Sequence, residues 1–291
     1  MSDSTRRDPG GSGSTGPLGS TGDGAVRIRD LRVELGPRSA RRTVLNGIDL
    51  DVSPGQVTGL AGESGSGKTM TGMAVMGLLP AGASVAGSIR FGETELLELS
   101  PRRLNAVRGN RIAMISQDPT SSLHPMLSIQ RQLTDHYRAH TGASKADARD
   151  RALELLDLVQ VPDPATALRK YPHQFSGGQL QRIAIAGALM CRPTVLIADE
   201  PTTALDVTVQ AGVLRLLRGL CDDLGLGVLL VTHDLGVMSA LADTIAVMRG
   251  GRIVERGTRH QVITAPEHEY TRSLIAALPE HHRPADGKDP S

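Results

Sequence analysis

From Ala25 onward the chain alternates apolar and polar residues. VRIRDLRVEL and GIDLDVSPGQVTGLAG both run at period two, which predicts antiparallel strands leading into a buried one. The pattern then breaks at a glycine-rich stretch and resumes with helical character in TMTGMAVMGLL, giving the order strand, glycine loop, helix. Between about Pro101 and Gln174 the period is that of a helix. It is clearest in SKADARDRALELLDLVQ, where Ala152, Leu155, Leu156 and Val159 form one stripe. Strand pattern returns in TVLIADE (194–200) and GVLLVTHD (227–234). Each is short, apolar and set off by a helical segment, as in a parallel sheet covered on both faces. TIAVMRGGRIVERG reads as a last strand-like stretch before a helical C-terminal region. The expected organisation is a flexible Gly/Ser-rich tail over 1–24, a body over 25–279 with a helical insert over about 101–190, and a polar tail over 280–291.

Composition narrows the classes. With 39% apolar residues in 291, a full core can be buried. A formal net charge of +1 supplies no broad field to hold nucleic acid or an anionic bilayer, so no nucleic-acid partner is expected and recognition must be local. Nowhere do eighteen apolar residues run together, and Arg6 and Arg7 are not followed by an apolar segment. Neither a membrane span nor a secretory signal is expected, and a cytosolic location follows. Cys191 and Cys221 lack the spacing of a metal knuckle or redox pair and read as packed thiols.

Three stretches carry chemistry. Gly62-Glu63-Ser64-Gly65-Ser66-Gly67-Lys68-Thr69 fits GxxxxGK[ST]. Backbone N–H groups there converge on phosphate oxygens, the following helix adds its N-terminal dipole, Lys68 meets the terminal phosphates and Thr69 can ligate Mg²⁺. A chance match is improbable in a chain with only four lysines. TVLIADE ends in two carboxylates at the C-terminal edge of a strand, where parallel sheets place ligands. Asp199 is expected in the Mg²⁺ shell and Glu200 to orient and polarise the attacking water; alone, the pair would read equally well as a solvated strand end. Phe175-Ser176-Gly177-Gly178-Gln179 is a Ser/Gly turn at a helix start, which by itself is explained by Ser176 as a cap. Gln117 carries an amide able to accept from metal-bound water and donate to a γ-phosphate, which makes it an expected Mg²⁺ ligand and coupling residue. His233 ends a buried strand and can donate to the γ-phosphate, against the plainer reading of a packed histidine.

GESGSGKT, Gln117 in ISQDP, FSGGQ, LIADEP, TALD at 203–206 and His233 in VTHD follow the order and spacing of ABC ATPases, and residues 25–279 resemble that family throughout. The resemblance implies an α/β fold: a P-loop NTPase (RecA-like) core with an antiparallel β subdomain and an inserted helical subdomain. It also implies ATP and Mg²⁺ as cofactors. Ser176, Gly177, Gly178 and Gln179 would face the γ-phosphate bound by a second ATPase subunit in a head-to-tail dimer, with Asp206 at the dimer contact. SQDPTSSLHPMLSI, YPHQFSGGQLQRIAIAGALMCRP, LIADEPTTALDVTVQ and HEYTRSLIAALP look like the peptide and nickel importer branch.

That branch implies membrane permease subunits, an extracytoplasmic solute-binding protein and a peripheral position on the cytoplasmic face of the cell membrane. Gln117 is expected to join a strand near Ala113 to the helical insert. The TSSLHP turn beside it, with Leu123 and His124, is the expected docking surface for a permease helix, against the plainer reading of a turn capped by Ser121 and Ser122. The chain departs from the branch in three ways: no aromatic residue for adenine lies between Ala25 and Gly47, Phe175 stands where leucine is usual, and no cysteine-rich iron–sulfur segment follows Pro279. Arg41 or Arg42 is a planar substitute for the missing aromatic, or a solvated basic turn. Exporter ATPases, non-transport ABC ATPases and small-molecule kinases are the alternatives. Short spacing between Lys68 and Ser176 disfavours DNA-repair members, and a kinase would need neither FSGGQ nor TALD.

Overall fold

The computed structural model describes residues 24–278 except Arg38 and Ala204, so the expected tails fall outside the described residues, Gly24 apart. Strands β1 (Val26–Leu35) and β2 (Arg42–Val52) form the predicted antiparallel pair, followed by the fully buried β3 (Val57–Ala61) and helix α1 (Lys68–Val75). Next come β4 (Ser84–Phe91), the short β5 (Thr94–Glu95), α2 (Pro101–Val107) and β6 (Ile112–Ile115). A run of helices follows: α3 (Pro119–Ser122), α4 (Ile129–Thr141), α5 (Lys145–Leu158), α6 (Pro164–Ala167) and α7 (Gly177–Leu189). The chain then alternates β7 (Val195–Asp199), α8 (Val207–Leu224), β8 (Gly227–Thr232), α9 (Leu235–Leu241) and β9 (Thr244–Arg249). It closes with β10 (Arg252–Thr258), α10 (Arg259–Thr264) and α11 (Glu269–Ala276).

Two sheets result, one antiparallel in the order β2-β1-β4-β5 and one of six strands in the order β10-β9-β3-β8-β7-β6. In the larger sheet β9, β3, β8, β7 and β6 run parallel, and β10 adds an antiparallel edge. Side-chain alternation divides its two faces. Leu196, Ala198, Val228 and Leu230 lie on the side of α7, α8 and α9, whereas Val195, Ile197, Leu229 and Val231 join the antiparallel sheet and α1. Burial on both faces explains why these strands read as continuous apolar runs.

Within the helices, α5 turns Ala148, Ala152, Leu155 and Leu156 inward, and Ser144 caps it by accepting from the Asp147 N–H at 3.1 Å. Each fully buried leucine of that stripe contributes about 1.5–3 kcal/mol. Truncating Leu155 to alanine would cost about 2–5 kcal/mol.

Two sequence expectations need correction. The stretch 101–190 is not one helical insert, because β6 lies inside it and pairs in parallel with β7 through Ile112↔Val195 and Ile115↔Ala198. Four residues are too few for periodicity to separate a buried strand from a helix. The helices that leave the core sheet are therefore α3–α6, and α7 returns to pack against β6. The stretch TIAVMRGGRIVERG is two strands, since Gly250 and Gly251 adopt φ of 56° and 77° and turn the chain into the β9–β10 hairpin.

Candidate nucleotide site

The phosphate loop spans the gap between the end of β3 and the start of α1. Gly62 adopts φ 150°, and a Cβ there would sit 2.2 Å from the Met248 carbonyl oxygen, so no larger residue fits. Gly67 adopts φ 109° against Leu45 and Val44. Lys68 is 5% exposed and folds back over the loop, its Nζ donating to the carbonyls of Gly62 at 2.8 Å and Glu63 at 2.9 Å. Burial lowers its pKa, opposed by the nearby charges of Glu200, Asp199 and Glu63.

At the end of β7, Asp199 is 4% exposed and its carboxylate accepts from Thr69 Oγ1 at 3.1 Å. Burial raises its pKa, and the Thr69 hydrogen bond only partly offsets this. Glu200 breaks out of the strand with φ 46°, held by its N–H donating to the Val231 carbonyl at 2.8 Å. This left-handed turn carries its carboxylate onto three partners. Gln117 Nε2 donates to Oε2 at 3.0 Å, Thr203 Oγ1 donates to the same oxygen at 2.9 Å, and His233 Nδ1 lies 2.9 Å from Oε1. Burial pushes the Glu200 carboxyl up, but the hydrogen bonds from His233 and Thr203, with the charges of His233 and Lys68, outweigh it and leave its pKa lowered. Gln117, Glu200 and His233, predicted separately from sequence, thus converge on one carboxylate, while Thr69 and Asp199 meet beside it.

Ser176 caps α7 in a capping box, with Gln179 N–H donating to Ser176 Oγ at 3.4 Å and Ser176 N–H to Gln179 Oε1 at 3.0 Å. Gly178 has a packing role as well: a Cβ there would lie 2.4 Å from Val209 Cγ1 on α8. Among the described residues no hydrogen bond joins 176–179 to the phosphate loop. Arg41 is engaged with Glu34, Nη1 to Oε2 at 3.4 Å, across the β1–β2 turn. The TSSLHP turn divides: Leu123 points into the core at 9% exposure, while Met126 just beyond it is 77% exposed.

Two contacts escaped sequence reasoning. Thr203 sits one turn past Glu200 in TTALD, where a hydroxyl can reach back. Tyr270, 207 residues beyond the loop, accepts from the Glu63 N–H at 3.0 Å; nothing local in the sequence signals that pairing.

The family model described as ABC transporter matches residues 45–203. The chain belongs to the ABC transporter family. It is an ATP-binding subunit of that family, an ATPase. It is 47% identical over 261 residues to the peptidoglycan transport ATP-binding protein YejF of Agrobacterium fabrum, covering 89% of this chain and 48% of that protein, about half its length. It is 42% identical over 254 residues to the oligopeptide transport ATP-binding protein OppD of Salmonella typhimurium, covering 87% and 76%. The ATP-binding cassette MJ0796, solved as a dimer in a post-hydrolysis state with ADP and Pi, superposes with TM-score 0.71 at 27% identity over 80% of this chain and 98% of its own. Among the described residues of this ABC subunit, no helix is long and apolar enough to cross a membrane.

Proposed function

We propose that this subunit hydrolyses ATP in a head-to-tail dimer to drive peptide import through a separate membrane permease, lying against the cytoplasmic face of the membrane. The carrying observation is the Glu200 carboxylate, held by Gln117, Thr203 and His233 beside the buried Lys68. Glu200, kept ionised, accepts a proton from an attacking water and aligns it; phosphoryl transfer demands positioning above all. Lys68, held over the loop by two of its carbonyls, brings its charge to the terminal phosphates. His233 and Gln117 sense the γ-phosphate from either side of Glu200.

The oxygens of Thr69 and Asp199, 3.1 Å apart, are the hard donor set that Mg²⁺ prefers, and Gln117 offers a further amide oxygen. Bound there, Mg²⁺ would neutralise charge on the phosphate oxygens. Ser176, Gly177, Gly178 and Gln179 act on the partner subunit's nucleotide, which agrees with their separation from this chain's own loop. Val207, beside Asp206, is 83% exposed and suits burial in the same dimer contact.

Peptide as cargo is favoured by the relatives' transport of oligopeptide and peptidoglycan. The test is reconstitution of the subunit with its permease and solute-binding protein in vesicles. Peptide should accumulate only when ATP is supplied on the subunit's side. ATP hydrolysis that drives uptake of nickel and not of peptide would overturn the cargo assignment.

A further inference from the structure

The peptide unit joining Gly62 to Glu63 is gripped at both ends. Its carbonyl oxygen accepts from Lys68 Nζ at 2.8 Å, and its N–H donates to Tyr270 Oη at 3.0 Å. In a planar trans unit these two groups point in opposite directions, so Lys68 and Tyr270 hold the plane from opposite sides and set its rotation. Such a hold is needed here. Gly62, at φ 150°, has the backbone freedom of glycine, and an unanchored unit could turn its carbonyl away from the lysine.

Tyr270 is itself firmly placed. It is 7% exposed, and the Arg249 guanidinium covers its ring at 4.8 Å from the centroid. The start of α11 is fixed to β10 through Glu255, whose carboxylate accepts from the N–H groups of Glu267 at 2.8 Å and His268 at 3.1 Å. His268 Nδ1 in turn accepts from the Tyr270 N–H at 3.1 Å. The hydroxyl therefore reaches the phosphate loop from a rigid, buried base.

We infer that Tyr270 is a positioning residue for nucleotide binding: its hydroxyl orients the Gly62–Glu63 peptide so that the loop keeps Lys68 poised, which makes α11 part of the nucleotide site. This inference rests on the ATPase reading above.

Tyr270→Phe is the informative variant, because it removes the hydroxyl and keeps the ring packed under Arg249. Losing one net hydrogen bond predicts ATP binding weakened roughly three- to tenfold, with KM carrying most of the change and kcat little of it. The melting temperature should fall by no more than about 4 °C. Amide exchange gives a second, direct reading: the Glu63 N–H should be protected in the nucleotide-free wild-type chain and lose that protection in the variant. A folded Tyr270→Phe protein with ATP affinity within twofold of wild type would overturn the inference. So would an unprotected Glu63 amide in wild type, a measurement that stands even if the variant fails to fold. A wild-type chain that binds no ATP would instead sink the ATPase reading.

Discussion

Gln117 donates its amide hydrogen to Glu200 across 3.0 Å, joining the end of β6 to the end of β7. These two residues lie 83 positions apart, and all of α3–α7 is strung between them. A residue at the exit to the helical region is thereby wired to the carboxylate proposed to act on water.

Replacing that carboxylate with an amide separates binding from chemistry. Glu200→Gln should retain ATP affinity within a few-fold and lose at least about a hundredfold in turnover, the range expected for a general base. Phosphate release and calorimetry on the same preparation check it. Turnover within a few-fold of wild type would assign the base elsewhere.

The two thiols should be inert in the native chain. Burial pushes the Cys191 thiol up to about 11, so roughly one molecule in a thousand carries the thiolate at pH 8. Cys221 is buried and its pKa is also raised by burial. A chromogenic disulfide reagent at pH 8 should react with neither in native protein within minutes and with both after unfolding. Native reactivity at Cys191 should climb as the pH approaches 11. Rapid labelling at pH 8 would contradict the packing described.

Docking to the permease is best probed at Met126. Leu123 faces the core at 9% exposure, so changing it tests folding as much as docking, whereas Met126 is 77% exposed. Met126→Glu should leave ATP hydrolysis by the isolated subunit within about twofold and reduce ATP-driven transport in the assembled complex severalfold, since it puts a charge into an apolar contact. Undiminished transport would show that the permease docks elsewhere.

Much of this was legible in the residues. The phosphate loop, the paired acids after LIA and the cap at Ser176 are local signals, and each appears where the chain pattern predicted. β6 was legible only as a strand near Ala113 without bounds, because IAMI is too short for any period to declare itself, and the β9–β10 hairpin was hidden because two glycines read as one loose stretch. Thr203 and Tyr270 went unassigned for a different reason. Their roles depend on partners brought near by tertiary packing, which neither TALD nor HEYTRSLIAALP declares locally. The expectation for Arg41 as an adenine platform meets a competing partner in Glu34, which the turn between β1 and β2 supplies.

Among the described residues, the strand carrying the phosphate loop has no sheet neighbour that precedes it. β3 pairs with β8 and β9, and Tyr270 follows the loop by 207 residues. At about 5–20 residues per second, roughly ten to forty seconds of translation separate Glu63 from Tyr270. A nascent chain on the ribosome therefore displays a complete phosphate-loop sequence long before it owns the strands that hold it. ATP can therefore meet no loop braced on both sides until β8 and β9 have been made, and none braced by Tyr270 until that residue follows.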